Sequence, residues 1–245
     1  MKLNCDLGES FGTWQKGMDT EIMPHIDQAN IACGFHASDP LTMANTVRLA
    51  KTHDVTIGAH PGYPDIIGFG RRHIPMTRDE LSAAILYQIG ALQSICVSQN
   101  TQISYVKPHG ALYNDMMSDL EVFDTVCLAI KQSNLTPLIM VQALSDMKAH
   151  QAIADKYQLS IWQEAFADRH YQDNGLLVSR AQPNAVIHDE EAVCLRVQNY
   201  IENGYIMSES GKALHLKIDS FCVHGDNQSA LNLVKSLRQQ LNKLS

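Results

Sequence analysis

The chain is punctuated by short apolar runs that each end in a histidine beside a glycine or proline. Gly34-Phe35-His36, Gly58-Ala59-His60-Pro61, Lys107-Pro108-His109-Gly110 and Val223-His224-Gly225-Asp226 share this form. Three of the preceding runs, Val55-Thr56-Ile57, Ile103-Ser104-Tyr105-Val106 and Phe221-Cys222-Val223, read as buried strands; Ala29-Asn30-Ile31-Ala32-Cys33, before His36, is less sharply patterned. A buried strand that delivers a titratable side chain and then turns sharply is how α/β barrels build catalytic faces, at strand C-termini. Any one of the 11 histidines could be an ordinary core-edge residue. Four in the same local setting point to one rim.

Strand-like runs alternate with helical patterns from end to end, which argues for βαβ units around a parallel sheet. Seven strands can be read: Lys2 to Asp6, Gln28 to Cys33, Val55 to His60, Ser104 to Lys107, Pro137 to Val141, Leu159 to Phe166 and Leu216 to Val223. Between them, Ser38-Asp39-Pro40 sets an N-cap and a first-turn proline for a helix carrying Leu41, Ala44, Val47 and Ala50. Thr77-Arg78-Asp79-Glu80 and Ser118-Asp119-Leu120-Glu121 both read as capping boxes. Later helices are expected over Ser145 to Tyr157, Asp189 to Asn203 and Asn227 to Leu244. Seven units favour an irregular α/β barrel over an open sheet. At 245 residues the chain suits one such barrel, a single domain over residues 1–245.

Composition removes several classes of function. Nineteen Lys and Arg against 26 Asp and Glu leave a net charge of −7, with no basic stretch to suggest nucleic acid. No segment approaches a membrane span, and a charged residue at Lys2 interrupts any secretory signal, so the cytoplasm is expected. The six cysteines are scattered without Cys-x-x-Cys pairs, which fits reduced thiols and marks none as a nucleophile. Neither Gly-x-Gly-x-x-Gly nor a Walker-type Gly-x-x-x-x-Gly-Lys-Ser/Thr occurs. If ATP is used, something other than these motifs binds it.

Asn4-Cys5-Asp6-Leu7-Gly8-Glu9 places two carboxylates in the turn after the first strand. Asp6 at the strand end would face the barrel mouth as a proton-transfer group; Glu9 would cap a turn or bind ligand. Lys107 ends a buried strand, where an ammonium is costly unless it meets an anion. Gly68-Phe69-Gly70-Arg71-Arg72, beside His60-Pro61-Gly62-Tyr63-Pro64-Asp65, reads as a clamp for carboxylate or phosphate oxygens. Asp168 and Arg169, after Glu164-Ala165-Phe166-Ala167, contact substrate or pair with each other. Asp6 with His36 and His60 would also make an open site for a divalent metal; the spacing neither supports nor excludes it.

Those segments, with Asn30-Ile31-Ala32-Cys33-Gly34-Phe35-His36-Ala37, Val106-Lys107-Pro108-His109-Gly110-Ala111-Leu112-Tyr113-Asn114 and Cys222-Val223-His224-Gly225-Asp226, closely resemble the LamB/YcsF family, in family order over almost the whole chain. The resemblance implies an irregular seven-stranded β/α barrel of the glycoside hydrolase/deacetylase type. It also implies ATP-dependent opening of 5-oxoproline (pyroglutamate) to L-glutamate by a complex of three components, with this chain joined by two others, B and C. Departures are small: Ser38 stands where glycine is expected, and Ser179 where a Leu-Val-Pro-Arg pattern has proline.

On this reading the catalytic candidates are Asp6, His36, His60, Lys107, His109 and His224. The substrate-binding candidates are Glu9, Asn30, Tyr63, Arg71, Arg72, Asp168, Arg169 and Asp226. Asp6 or a histidine would activate water, another histidine would protonate the leaving nitrogen, and Lys107 with Arg71 or Arg72 would hold phosphate or carboxylate. The missing Walker motif assigns ATP activation of the lactam to subunits B and C. A metal-dependent deacetylase or other amide hydrolase is the second reading, and a non-catalytic scaffold the third.

Overall fold

Side chains alternate along a strand, so a barrel wall sends one set inward and the other toward its helices. The computed structural model describes residues 1–135, 138–180, 182–223 and 228–244. Its strands are β1 (Lys2–Leu7), β2 (Gln28–Ala32), β3 (Thr56–His60), β4 (Tyr105–Val106), β5 (Leu138–Gln142), β6 (Ser160–Phe166), β7 (Ile206–Met207), β8 (Ala213–Leu214) and β9 (Ser220–Cys222). Its helices are α1 (Asp19–Ile22), α2 (Pro40–Thr52), α3 (Arg78–Ser98), α4 (Gly110–Ser118), α5 (Leu120–Ser133), α6 (Lys148–Lys156), α7 (Glu190–Asn203) and α8 (Gln228–Leu244). Seven parallel strands close a barrel in the order β1-β2-β3-β4-β5-β6-β9, the architecture expected from the alternation.

Its irregularities follow from local chemistry. β4 is only two residues long because Pro108, which has no N–H to give a ladder, follows Lys107. The expected strand from Leu216 to Val223 contracts to Ser220–Cys222, and an antiparallel β7–β8 pair precedes it unforeseen. Pro137 and Asn227, expected to begin a strand and a helix, lie outside the described residues.

Helix starts were partly legible. Asp39 caps α2 by accepting from the N–H groups of Leu41 and Thr42, ahead of Pro40. Ser38 before it has φ 77°, the left-handed region that favours glycine, which accounts for the glycine expected there. Thr77 and Glu80 form the full capping box of α3. Ser118 does not cap: it ends α4 and bonds back to the carbonyls of Asn114 and Asp115, while Asp119 caps α5 through the N–H of Glu121. The helix read from Ser145 begins at Lys148, behind the short Asp146 turn.

Against the expectation that no segment approaches a membrane span, α3 is by length and composition apolar enough to cross one. In the fold it packs against α2, α5 and β3, burying Leu81, Ile85, Ile89 and Leu92. Each such side chain contributes about 1.5–3 kcal/mol. One face of the apolar run is therefore core, while Tyr87 and Val97 stay exposed.

The barrel interior is polar, unlike the branched apolar layers usual in such barrels. Register puts Asp6 opposite Asn30, Asn30 opposite Gly58, and Gly58 opposite Tyr105. Tyr105 lies across Gly58, and its hydroxyl donates to Asn30 Oδ1 at 2.6 Å. A Cβ on Gly58 would fall within the Tyr105 ring. Gly58→Ala is thus expected to destabilise by about 1–3 kcal/mol. Thermal unfolding should drop by roughly 2–4 °C per kcal/mol; an unchanged midpoint would show that the ring moves at no cost.

Candidate active site

A lysine ammonium in a barrel core is tolerable only among anions. Lys107, 2% exposed, directs Nζ to Asp6 Oδ1 at 2.9 Å and Glu164 Oε2 at 3.1 Å. Asn4 Oδ1 and Cys222 Sγ lie at 3.3 Å. Burial works against the charge, but Asp6 foremost, with Cys222 and Glu164, outweighs it and raises the Lys107 pKa well above its ordinary value. Asn30 Nδ2 donates to Asp6 Oδ1 at 2.8 Å and to Asn4 Oδ1 at 2.9 Å. Tyr105, Asn30, Asp6 and Lys107 form one continuous chain.

Above it three histidines gather. The His36 and His109 rings stack at 3.7 Å, 2° from parallel, while His60 meets His109 edge-on at 4.9 Å. Gly70, at φ 64°, allows this approach: a Cβ there would lie 2.7 Å from His36 Cβ and 2.8 Å from His109 Cδ2.

Hydrogen-bond bookkeeping restricts their protons. His60 Nδ1 lies 2.6 Å from the Lys107 carbonyl and His109 Nε2 lies 2.9 Å from the Phe69 carbonyl. Carbonyls only accept, so both outward nitrogens carry hydrogen. Between the rings, His60 Nε2 and His109 Nδ1 are 3.0 Å apart, a contact that needs one hydrogen more. Two neutral rings have only the two hydrogens already spent outward, so the nitrogens between them face each other as lone pairs, a place where one proton could be taken up and passed on. Asp6 Oδ2, 3.4 Å from His60 Nε2, and Glu9 Oε1, 3.8 Å from His109 Nδ1, stand where they would offset the charge of that proton. Such a pair can hand a proton to substrate.

Glu9, His36, His60 and His109 also bring potential metal ligands within 4.8 Å of one another, and both His36 ring nitrogens are buried without a hydrogen-bond partner. The donor set is right for a divalent ion, and Glu9 and His109 enter it where the sequence suggested Asp6. The orientation is not right. Imidazole lone pairs lie in the ring plane, so the parallel His36 and His109 rings do not converge on one ion unless a ring turns.

The other sequence candidates separate. A cavity of about 550 Å³ opens over Asp6, His60, Lys107 and His109, with Glu9, Arg71 and Arg169 on its walls. Asn30 lies beneath it, holding Asp6. His36 sits behind His109. Tyr63 points away, donating to Asp115 at 2.7 Å. Arg72 is engaged by Asp65, to which its Nε donates at 3.0 Å, so the clamp read from Arg71-Arg72 reduces to Arg71. Arg169 donates to the carbonyls of Ala185 and Val178, holding a loop rather than pairing alone with Asp168. Asp168 lines a separate cavity of about 310 Å³. His224 and Asp226 lie outside the described residues.

Sequence reasoning passed over Glu164 and Asn4. Each sits on the inward face, two residues from a candidate or from the strand end, and that period-two spacing was the available signal. The cysteines beside the site are not nucleophiles: burial pushes Cys5 and Cys222 up, and Cys33 up to about 12.

Burial, then neighbouring histidines, holds His36 and His109 well below the ordinary value of 6.5. Folding therefore excludes protons that the unfolded chain takes up below that pH. Stability should be full above pH 6.5 and fall on acidification, by up to about 2.7 kcal/mol per pH unit for two rings. Urea midpoints at pH 7.5, 6.5 and 5.5 check this; a flat or rising series would contradict it.

Comparison with known proteins agrees with this architecture. The LamB/YcsF family model matches residues 1–245. The chain is 51% identical over 243 residues to the 5-oxoprolinase A subunit of Vibrio cholerae, covering 99% of this chain and 98% of that one. The crystal structure of a lactam utilization protein from Thermus thermophilus superposes with a TM-score of 0.90 at 36% identity, covering 99% and 96% of the two chains. A GH113 β-1,4-mannanase, TM-score 0.51 at 10% identity over 97% and 98%, shares the fold alone.

Proposed function

The chain belongs to the LamB/YcsF family, and from that premise we propose that it is the A subunit of a 5-oxoprolinase, opening the ring of 5-oxoproline to L-glutamate. The observation that carries this reading is the juxtaposition of an ion-paired carboxylate, Asp6, with a closely spaced histidine pair on one cavity floor. Curated relatives that carry the 5-oxoprolinase A-subunit name, about half identical over nearly their whole length, support it.

A five-membered lactam is a poor electrophile, because attack forfeits amide resonance and expels an amine. Phosphorylation of its oxygen by ATP releases ADP and creates a better one. With no Walker motif in this chain, we assign that step to partner subunits B and C, and ring opening to this barrel. Water adds to the ring carbon and loses a proton to Asp6, which Lys107 and Asn30 hold in place. The carbon–nitrogen bond breaks as the His60–His109 pair protonates nitrogen. A second water then cleaves the resulting acyl phosphate to glutamate and inorganic phosphate.

Lys107 is committed to Asp6 and Glu164, so it orients the base rather than grips substrate, and Arg71 on the cavity wall is the cation placed to meet the anion. A divalent ion, if bound, would fall to Glu9, His36, His60 and His109 and act as a Lewis acid; no step above depends on it. Six free cysteines suit a reducing compartment, and we place the reaction in the cytoplasm.

The isolated chain should form negligible glutamate from 5-oxoproline and ATP, with activity appearing on addition of subunits B and C. Robust turnover by the chain alone would sink the division of labour. In the complex, Asp6→Asn and His60→Ala should each reduce glutamate formation by about 10²–10⁴-fold. Their melting temperatures should stay within a few degrees, since Glu164 still faces Lys107 in the first and Asp6 in the second. Near-normal rates in both would misplace the site.

A further inference from the structure

One bulky residue on the cavity wall holds a backbone conformation that side chains disfavour. Phe69 has φ 54°, the left-handed region, which is an outlier for a large side chain. Such a residue persists only where its surroundings dictate it, and such residues cluster at functional sites. Glycine would take this φ freely, as Gly70 does at 64°. The Phe69 ring, which glycine lacks, meets His109 edge-on at 5.1 Å and His36 at 5.8 Å. Its carbonyl, aimed by the unusual φ, accepts from His109 Nε2 at 2.9 Å.

What dictates the conformation is Asp65, which is 3% exposed and does not line the cavity. Its main chain ties two loops together: its N–H donates to the Phe35 carbonyl at 3.0 Å, beside His36, and its carbonyl accepts from the Gly70 N–H at 2.9 Å. Its carboxylate closes the turn between, accepting from the Gly68 N–H at 2.9 Å and from Arg72 Nε at 3.0 Å. Gly68 and Gly70 flank Phe69, so Asp65 fixes both neighbours of the strained residue. The Gly70 carbonyl in turn accepts from the Ala111 N–H at 2.8 Å, two residues after His109. The segments that carry His36, His60 and His109 are thereby joined through one side chain and its own peptide groups.

Resting on the function proposed above, we infer that Asp65 is a positioning residue: it holds the Phe69 carbonyl on His109 Nε2 and so selects the ring form whose Nδ1 lone pair faces His60. With its hydrogen on Nδ1 instead, His109 would set Nε2 against a carbonyl, two acceptors in contact. It would also fill the gap in which the pair takes up a proton. The selection concerns where a neutral ring keeps its one hydrogen, not whether the ring is charged. Arg72, whose side chain is 61% exposed, tightens the turn from the solvent side.

Nitrogen NMR of the full chain with isotope-labelled histidine reads the position of that hydrogen. Wild-type His109 is expected in the single Nε2–H form at neutral pH. Asp65→Ala and Asp65→Asn should each give a mixture of the two forms, the second because its amide presents a donor where Arg72 already donates. His150, on α6 and packed on Phe123, should keep its signals and report an intact fold. Asp65→Asn, the closer in shape, decides the matter if the alanine variant does not fold. A mixture in the wild type, or an unchanged His109 in Asp65→Asn, overturns the inference. In the complex with subunits B and C, Asp65→Asn should lose about tenfold or more in glutamate formation. Normal turnover there, with Asp6→Asn inactive, removes the positioning role and leaves the proposed function standing; normal turnover in both removes the proposed function itself.

Discussion

The buried ammonium of Lys107 is the constraint around which the barrel is arranged. An isolated charge at this depth would be prohibitive, so the interior supplies two carboxylates and a shell of polar groups in place of water. Polar inward positions follow on strands around the barrel, Asn4 and Asp6 on β1, Asn30 on β2 and Glu164 on β6. Tyr105 secures Asn30 by lying over Gly58, which is why a residue with no side chain is required at that step of β3. Two carboxylates share one ammonium, so Lys107 keeps a partner in Glu164 when Asp6 is neutralised.

The histidines answer to a second constraint, the shortage of acceptors. His60 and His109 each spend an outward N–H on a backbone carbonyl, and the carbonyl that fixes His60 belongs to Lys107 itself. The proton position between the rings is thus tied to the same strand end that places the ammonium. His36 contributes by stacking on His109, and burial together with neighbouring imidazoles lowers the affinity of both rings for protons. The histidine pair is thus fixed by carbonyls and stacked rings away from bulk water.

Cavity and floor divide the work by charge. The floor is ion-paired and hydrogen-bonded. The outer wall is cationic and lies on the segments around Lys16, Arg71 and Arg180, which are loops rather than strands. Strands hold the floor residues, and loops carry much of the wall above them.

Much of this was readable in the sequence. Alternating strand-like and helical runs determined a parallel α/β barrel of seven strands, because periodicity is a local property of the chain. The His60 and His109 turns and the Asp6 and Lys107 strand ends marked the barrel mouth where the cavity lies, for the same reason. What local pattern could not decide was which candidate meets which. Arg72 turned to Asp65, Tyr63 to Asp115 and Ser118 back to its own helix. Glu164, from a strand far along the chain, became a partner of Lys107. Pairing depends on register and closure, which bring residues more than a hundred positions apart within 3 Å; only the tertiary structure sets those distances.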